Sequence, residues 1–118
     1  MPILSKTPLL YWTHHSRAKM RQYRLSEARV KRVLHSPKRI EEGIAPKTIA
    51  MMQPASLRRT IGKTDWNQEI WIMLVQEKRN GLVQRRIISA WRYPGKTRPG
   101  EQLPSEIIRE IQLGIKMI

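Results

Sequence analysis

Cysteine and phenylalanine are both absent from this chain. Without thiols there can be no disulfide, no thiolate metal site and no cysteine nucleophile. That absence fits a reducing compartment. Without Phe, the interior must be filled by Ile, Leu, Val, Met and the four Trp residues. Long apolar runs are lacking too. No stretch approaches the ~20 residues that span a bilayer. The opening residues hold no basic region followed by an apolar one, so no secretory signal is expected. The expected location is the cytoplasm, with no membrane partner. A length of 118 residues predicts one domain over 1–118, with the proline-bearing residues 1–8 as a loose lead-in.

Acidic residues are the scarcest relative to need. Nine Asp+Glu stand against 23 Lys+Arg, a net charge of +14. The resulting pI of 11.2 lies in the range of nucleic-acid-binding domains. The excess is concentrated: between residues 14 and 39 stand Arg17, Lys19, Arg21, Arg24, Arg29, Lys31, Arg32, Lys38 and Arg39, with Glu27 the sole acid. A solvated face normally mixes both signs, so a polyanion partner is expected, and RNA first among polyanions.

Several kinds of chemistry have no motif here. His14, His15 and His35 are the only histidines, and none forms a ligand-like spacing with Asp or Glu, so no metal is expected. Glycines are scattered rather than gathered into a phosphate-binding loop, and no serine nucleophile elbow is present. No cofactor is expected.

Local patterns outline the fold. Leu9-Leu10-Tyr11-Trp12 reads as a short strand and residues 14–23 as a helix. Ser26 is an N-cap for a second helix, in which Val30, Val33 and Leu34 share one face and Arg29, Lys31 and Arg32 lie largely on the other. Pro37 ends it. Residues 38–44 and 48–53 read as extended pieces, and the polar residues 54–65 as a loop carrying Arg58 and Arg59. The β-branched and aromatic run 69–75 and the stretch 83–93 flank Asn80-Gly81, a strong hairpin signal. From Pro104, Ile107, Ile108, Ile111, Ile115 and Ile118 recur at helical spacing. The order predicts an α+β fold: two N-terminal helices packed on a small antiparallel sheet, with a C-terminal helix.

Metal-independent cleavage of a phosphodiester needs a base for the 2′-OH, an acid for the leaving oxygen and cations for the charge on phosphorus. His15 and Lys19 lie four residues apart on the first helix and could supply an acid/base and a clamp; equally, His15 could pack at the helix start while Lys19 is solvated. Arg92 and Tyr93 are a second pair, a clamp beside an acid or stacking ring, or else an ordinary strand end. Trp66, near Arg58, Arg59 and Lys63, is the tryptophan expected to be exposed. Glu41 and Glu42 read as salt-bridge partners for Arg39 rather than as a base.

The stretch from His15 through Lys19, Met20 and Leu25-Ser26-Glu27 to Val30, Val33-Leu34, Pro37 and Ile40 resembles the N-terminal signature of a family of small bacterial and phage proteins. That family is grouped with the BrnT- and RelE-like toxins in the barnase/EndoU/colicin/RelE-like ribonuclease superfamily. Residues 14–93 carry the resemblance. Where the family often has Arg then Gly, this chain has Tyr23 and Arg24. The resemblance implies a metal-independent endoribonuclease of toxin type with an acidic antitoxin as partner. His15 and Lys19 match its helix motif. On their own chemistry rather than by resemblance, Arg92 as a phosphate clamp and Tyr93 as an acid or stacking group would complete catalysis, and Arg17, Arg21, Lys31, Arg32, Arg58 and Arg59 would bind the RNA backbone. A non-catalytic RNA- or DNA-binding domain, or a protein-interaction module, are the alternatives. The oligomeric state is left open by the sequence.

Overall fold

The computed structural model describes residues 8–43, 47–99 and Arg109. Strand β1 (Leu9–Trp12) leads into helix α1 (His14–Tyr23) through Thr13. The Thr13 hydroxyl accepts from the Ser16 N–H at 3.1 Å, which caps the helix, and donates to the Ile87 carbonyl at 2.8 Å, which fixes the helix start to the sheet. At the other end Arg24 takes a left-handed conformation with φ 57°. The Leu25 N–H then reaches back to the Met20 carbonyl at 2.8 Å, closing a Schellman-type turn. Glycine would adopt that φ without a Cβ penalty. Arg24→Gly should therefore raise stability by roughly 0.5–1 kcal/mol, read as an increased urea midpoint at unchanged slope. A lower midpoint would mean that the arginine side chain itself supports the turn.

Helix α2 (Glu27–His35) is capped as its sequence predicts, with the Ser26 hydroxyl accepting from the Arg29 N–H at 3.0 Å. Val30, Val33 and Leu34 are buried along one face. The helix stops where the Ser36 N–H bonds the Arg32 carbonyl at 3.0 Å, one residue before Pro37.

The remaining strands are β2 (Arg39–Glu42), β3 (Thr48–Pro54), β4 (Arg58–Thr60), β5 (Lys63–Asp65), β6 (Glu69–Arg79) and β7 (Leu82–Tyr93). The main sheet has the order β1-β7-β6-β3-β2. Asn80 and Gly81, with φ 53° and 77°, make the expected tight turn between β6 and β7. The architecture is thus a mixed α/β arrangement of two helices, a five-stranded sheet and a two-stranded ribbon.

Three expectations need correction or placement. The sheet is mixed rather than antiparallel, because β1 pairs parallel to β7. Residues 54–65 are not simply a loop: β4 and β5 pair as an antiparallel ribbon that turns at Gly62, φ 74°. Both strands of the ribbon are exposed on both sides, so they have no apolar alternation to betray them. The expected C-terminal helix falls outside the described residues, apart from the exposed Arg109.

Both faces of the sheet are buried. Met51, Ile70, Ile72, Leu74, Ile87 and Ala90 pack under Met20, Leu25, Val30, Val33 and Leu34 on the helix side. Ala50, Met52, Trp71, Met73, Ile88 and Trp91 form the core of the second side. Trp71 and Trp91 are register partners there, stacked at 6.1 Å between centroids. Such a pair contributes about 0.5–1.5 kcal/mol beyond its buried area. A bulge opposite Met73 and Leu74 leaves Ile88 as the extra residue on β7. It shifts the alternation by one residue, so that Ile87 and Ala90, three apart, share one core and Ile88 and Trp91, three apart, share the other, which explains the broken alternation of this strand's sequence.

Candidate nucleic-acid interface

The sheet register sets the site. Gln53, Ile70 and Arg92 are aligned on β3, β6 and β7. Ile70 belongs to the helix-side core, so Gln53 and Arg92 flank it beneath the helices. Arg92 donates to the Tyr23 carbonyl at the end of α1, at 3.3 Å. Arg29, on the first turn of α2, donates to Gln53 Oε1 at 2.6 Å and to the Pro54 carbonyl at 3.0 Å. The Gln53 amide in turn donates to the Arg32 and Ser36 carbonyls at 3.1 and 2.8 Å, tying β3 to the end of α2.

Arg29 is thereby placed where it feels the charges of both Arg32 and Arg92. Burial first, then the charges of Arg32 and Arg92, push the Arg29 guanidinium below its ordinary value. The acceptors that Arg29 and Arg92 reach are neutral: an amide oxygen and backbone carbonyls. Like charges held this close are relieved by an anion.

The helices add to this field. Glu27 is their sole acid, and it is taken by Arg17 at 3.0 Å. Arg17 also lies 5.6 Å from the Trp12 ring centroid, so its charge is engaged within the fold. Arg21, Arg24, Lys31 and Arg32 are exposed and have no acidic partner among the described residues. Beside them lies a cleft lined by Lys31, Arg32, His35, Ser36 and Gln53. Arg58 and Arg59 are exposed on the β4–β5 ribbon, at whose tip Ile61 is fully exposed.

The catalytic candidates are distributed differently from their sequence pairing. His15 and Lys19 share a face of α1, both half-buried, and Lys19 donates to Gln22 Oε1 at 2.9 Å. The hydrogen bond of Arg92 to α1 is at Tyr23, two turns or about 12 Å of helix axis past His15. Tyr93 points the other way, as consecutive residues on a strand must, and packs against the Trp71–Trp91 side. Arg92 and Tyr93 therefore do not form one pair. Among the described residues no group of three or more His, Asp or Glu side chains is placed to hold a metal ion. No helix among them is long and apolar enough to cross a membrane.

On the second face, Glu69 is wholly buried at the start of β6. Its Oε2 accepts from Trp66 Nε1 at 2.9 Å, and its Oε1 accepts from Trp71 Nε1 at 3.0 Å. Oε1 also accepts from the Thr97 N–H at 3.2 Å and hydroxyl at 2.7 Å. Arg39 donates to Thr97 Oγ1 at 2.8 Å, lies 5.1 Å from the Trp71 ring centroid, and pairs with Glu41 as its sequence suggests. Trp66 is half-buried rather than open, with Lys38 and Lys96 at 5.2 and 4.3 Å from its ring centroid. Lys96 also bonds Asp65 at 2.6 Å. That bond, helped by the Trp66 backbone, holds the Asp65 carboxyl below the usual range. With no exposure, Glu69 cannot reach a substrate. It fixes Trp66 and residue 97, and through them the root of the β4–β5 ribbon.

Of the arginines gathered here, Arg32 was expected to bind RNA from the sequence and Arg29 was not. Arg29 and Arg32 are three apart on α2 and share a face, a signal the sequence carries. Their approach to Arg92 depends on sheet register, which the sequence does not display. Comparison with protein-family models, with curated proteins and with solved structures returns no match for this chain.

Proposed function

We propose that this protein binds RNA through the basic side of α1 and α2. The reading is carried by Arg29, Arg32 and Arg92: the guanidiniums of Arg29 and Arg92 bond only neutral oxygens, and that of Arg32 is exposed without an acidic partner among the described residues. A phosphodiester placed there relieves their mutual repulsion and accepts the strong, charge-assisted hydrogen bonds that guanidinium forms with phosphate. Arg21, Lys31 and Arg32 extend the field over the exposed helical surface, and Arg58 and Arg59 offer further phosphate contacts from the ribbon. An acidic protein of antitoxin type would cover the same surface and be steered to it by charge.

A second reading makes the RNA a substrate, as the toxin resemblance implies. It is favoured by one arrangement: His15 and Lys19 stand one turn apart on the same face of α1. There an imidazole could exchange a proton with the 2′-OH or the leaving oxygen while the ammonium neutralises the phosphate.

Labelled single-stranded RNA incubated with the protein in EDTA separates the readings. Under the binding reading the RNA is shifted on a gel and stays intact, and His15→Ala changes its affinity less than about threefold. Cleavage by wild type that His15→Ala abolishes would make the protein a metal-independent ribonuclease. RNA left both intact and unshifted at low salt would remove both readings and favour a protein-interaction module.

A further inference from the structure

A second cleft adjoins the first along Lys31 and His35 of α2, between that helix, β1 and β7. Its volume is about 660 Å³, within the range of small-ligand sites. Three elements build it. Leu10 of β1 stands beside Arg85 of β7 in the parallel register, with Trp12 two residues further along β1. Lys31, Leu34 and His35 project from α2 at the i, i+3, i+4 positions of one face. The floor is therefore apolar, made by Leu10, Trp12 and Leu34, and the rim carries Lys31, His35 and Arg85. Arg85 Nε is held by Gln76 Oε1 at 2.9 Å, which sets the guanidinium in place.

We infer that this cleft is a nucleotide subsite, seating one unstacked base of a single-stranded RNA against Leu10, Trp12 and Leu34 while Lys31, His35 and Arg85 hold its phosphate. The inference rests on the RNA-binding reading and specifies where that surface would take hold of a base. The chemistry of the lining favours a nucleotide. An apolar, partly aromatic floor accepts the faces of any base, and base–aromatic stacking is the usual anchor of single strands. A rim holding basic side chains and no acid matches a phosphate and repels a cation. Lys31 and His35 also line the neighbouring cleft with Arg32 and Gln53. One strand can therefore pass over the end of α2 from the arginine cluster into the apolar cleft without leaving positive surface.

The test uses the full chain, isotope-labelled for NMR, with adenosine 5′-monophosphate, inorganic phosphate and a short Leu/Glu peptide as probes. In parallel, RNA affinity is measured for wild type, Arg85→Ala and His35→Ala. The mononucleotide is expected to shift the Trp12 indole N–H and the Leu10 and His35 amides, and phosphate alone to shift the rim residues only. Arg85→Ala should weaken RNA binding about tenfold at unchanged melting temperature. RNA that binds wild type and both variants equally, with no mononucleotide shift in the cleft, would overturn the subsite and leave the RNA-binding reading standing. RNA that fails to bind wild type at low salt, with cleft shifts from the acidic peptide only, would overturn both and make the cleft a peptide site.

Discussion

Glu69→Ala should lose about 3–5 kcal/mol of folding stability, a large fraction of the roughly 5–15 kcal/mol that holds a domain folded. The magnitude follows from what the carboxyl group does. Its two oxygens accept four hydrogen bonds, from Trp66, Trp71 and both donors of Thr97. Trp71 and Thr97 are buried, so their donors cannot turn to water once the acceptor is gone. Each buried donor left unpaired costs about 1–3 kcal/mol, and the vacated volume adds to it. Glu69→Gln separates the two contributions. Its single carbonyl oxygen can keep the bonds from Trp71 and Thr97, but its amide nitrogen then faces the Trp66 N–H, donor against donor. The expected loss is about 1–3 kcal/mol, with Trp66 fluorescence changing more than the global fold. Urea unfolding of the three proteins checks both values. A loss below about 1 kcal/mol for Glu69→Ala would show that the network is dispensable.

The largest effect on binding is expected from Lys31→Glu combined with Arg32→Glu, a loss of about 100-fold in RNA affinity at moderate salt. Both side chains are exposed and neither has an acidic partner among the described residues, so the fold does not depend on their charge. Val30, Val33 and Leu34, which anchor the helix, are untouched. Reversal removes two phosphate contacts and turns the remaining field of Arg29 and Arg92 partly inward, toward the new carboxylates. The slope of log affinity against log salt should also fall by about 2. An unchanged melting temperature would assign the loss to the surface rather than to unfolding.

The helices and the long hairpin were readable because their signals are local. Ser26 caps a helix whose apolar residues recur on one face, and Asn80-Gly81 is a turn that few other pairs can make. The β4–β5 ribbon was not readable. Arg58, Arg59, Lys63 and Thr64 are exposed, so no buried face imposes a period of two on them. The parallel pairing of β1 and the Ile88 bulge depend on how distant strands meet. The same limit governs the site. A strand's period of two already separates Arg92 from Tyr93, and it also puts Glu69 and Trp71 on one face. What the chain order hides is that Arg92 lies in register with Gln53, and that Gln53 holds Arg29. The chemistry of the basic face was legible as composition; its focus at three arginines was legible only in three dimensions.

The most direct measurement is a salt titration of wild-type binding to a labelled single-stranded RNA, with the Lys31→Glu, Arg32→Glu variant alongside. The account predicts wild-type binding that weakens steeply and linearly in log salt, and a variant that is weaker with a slope shallower by about 2. Absence of wild-type binding at low salt, or a variant that binds as tightly and with the same slope, would contradict it.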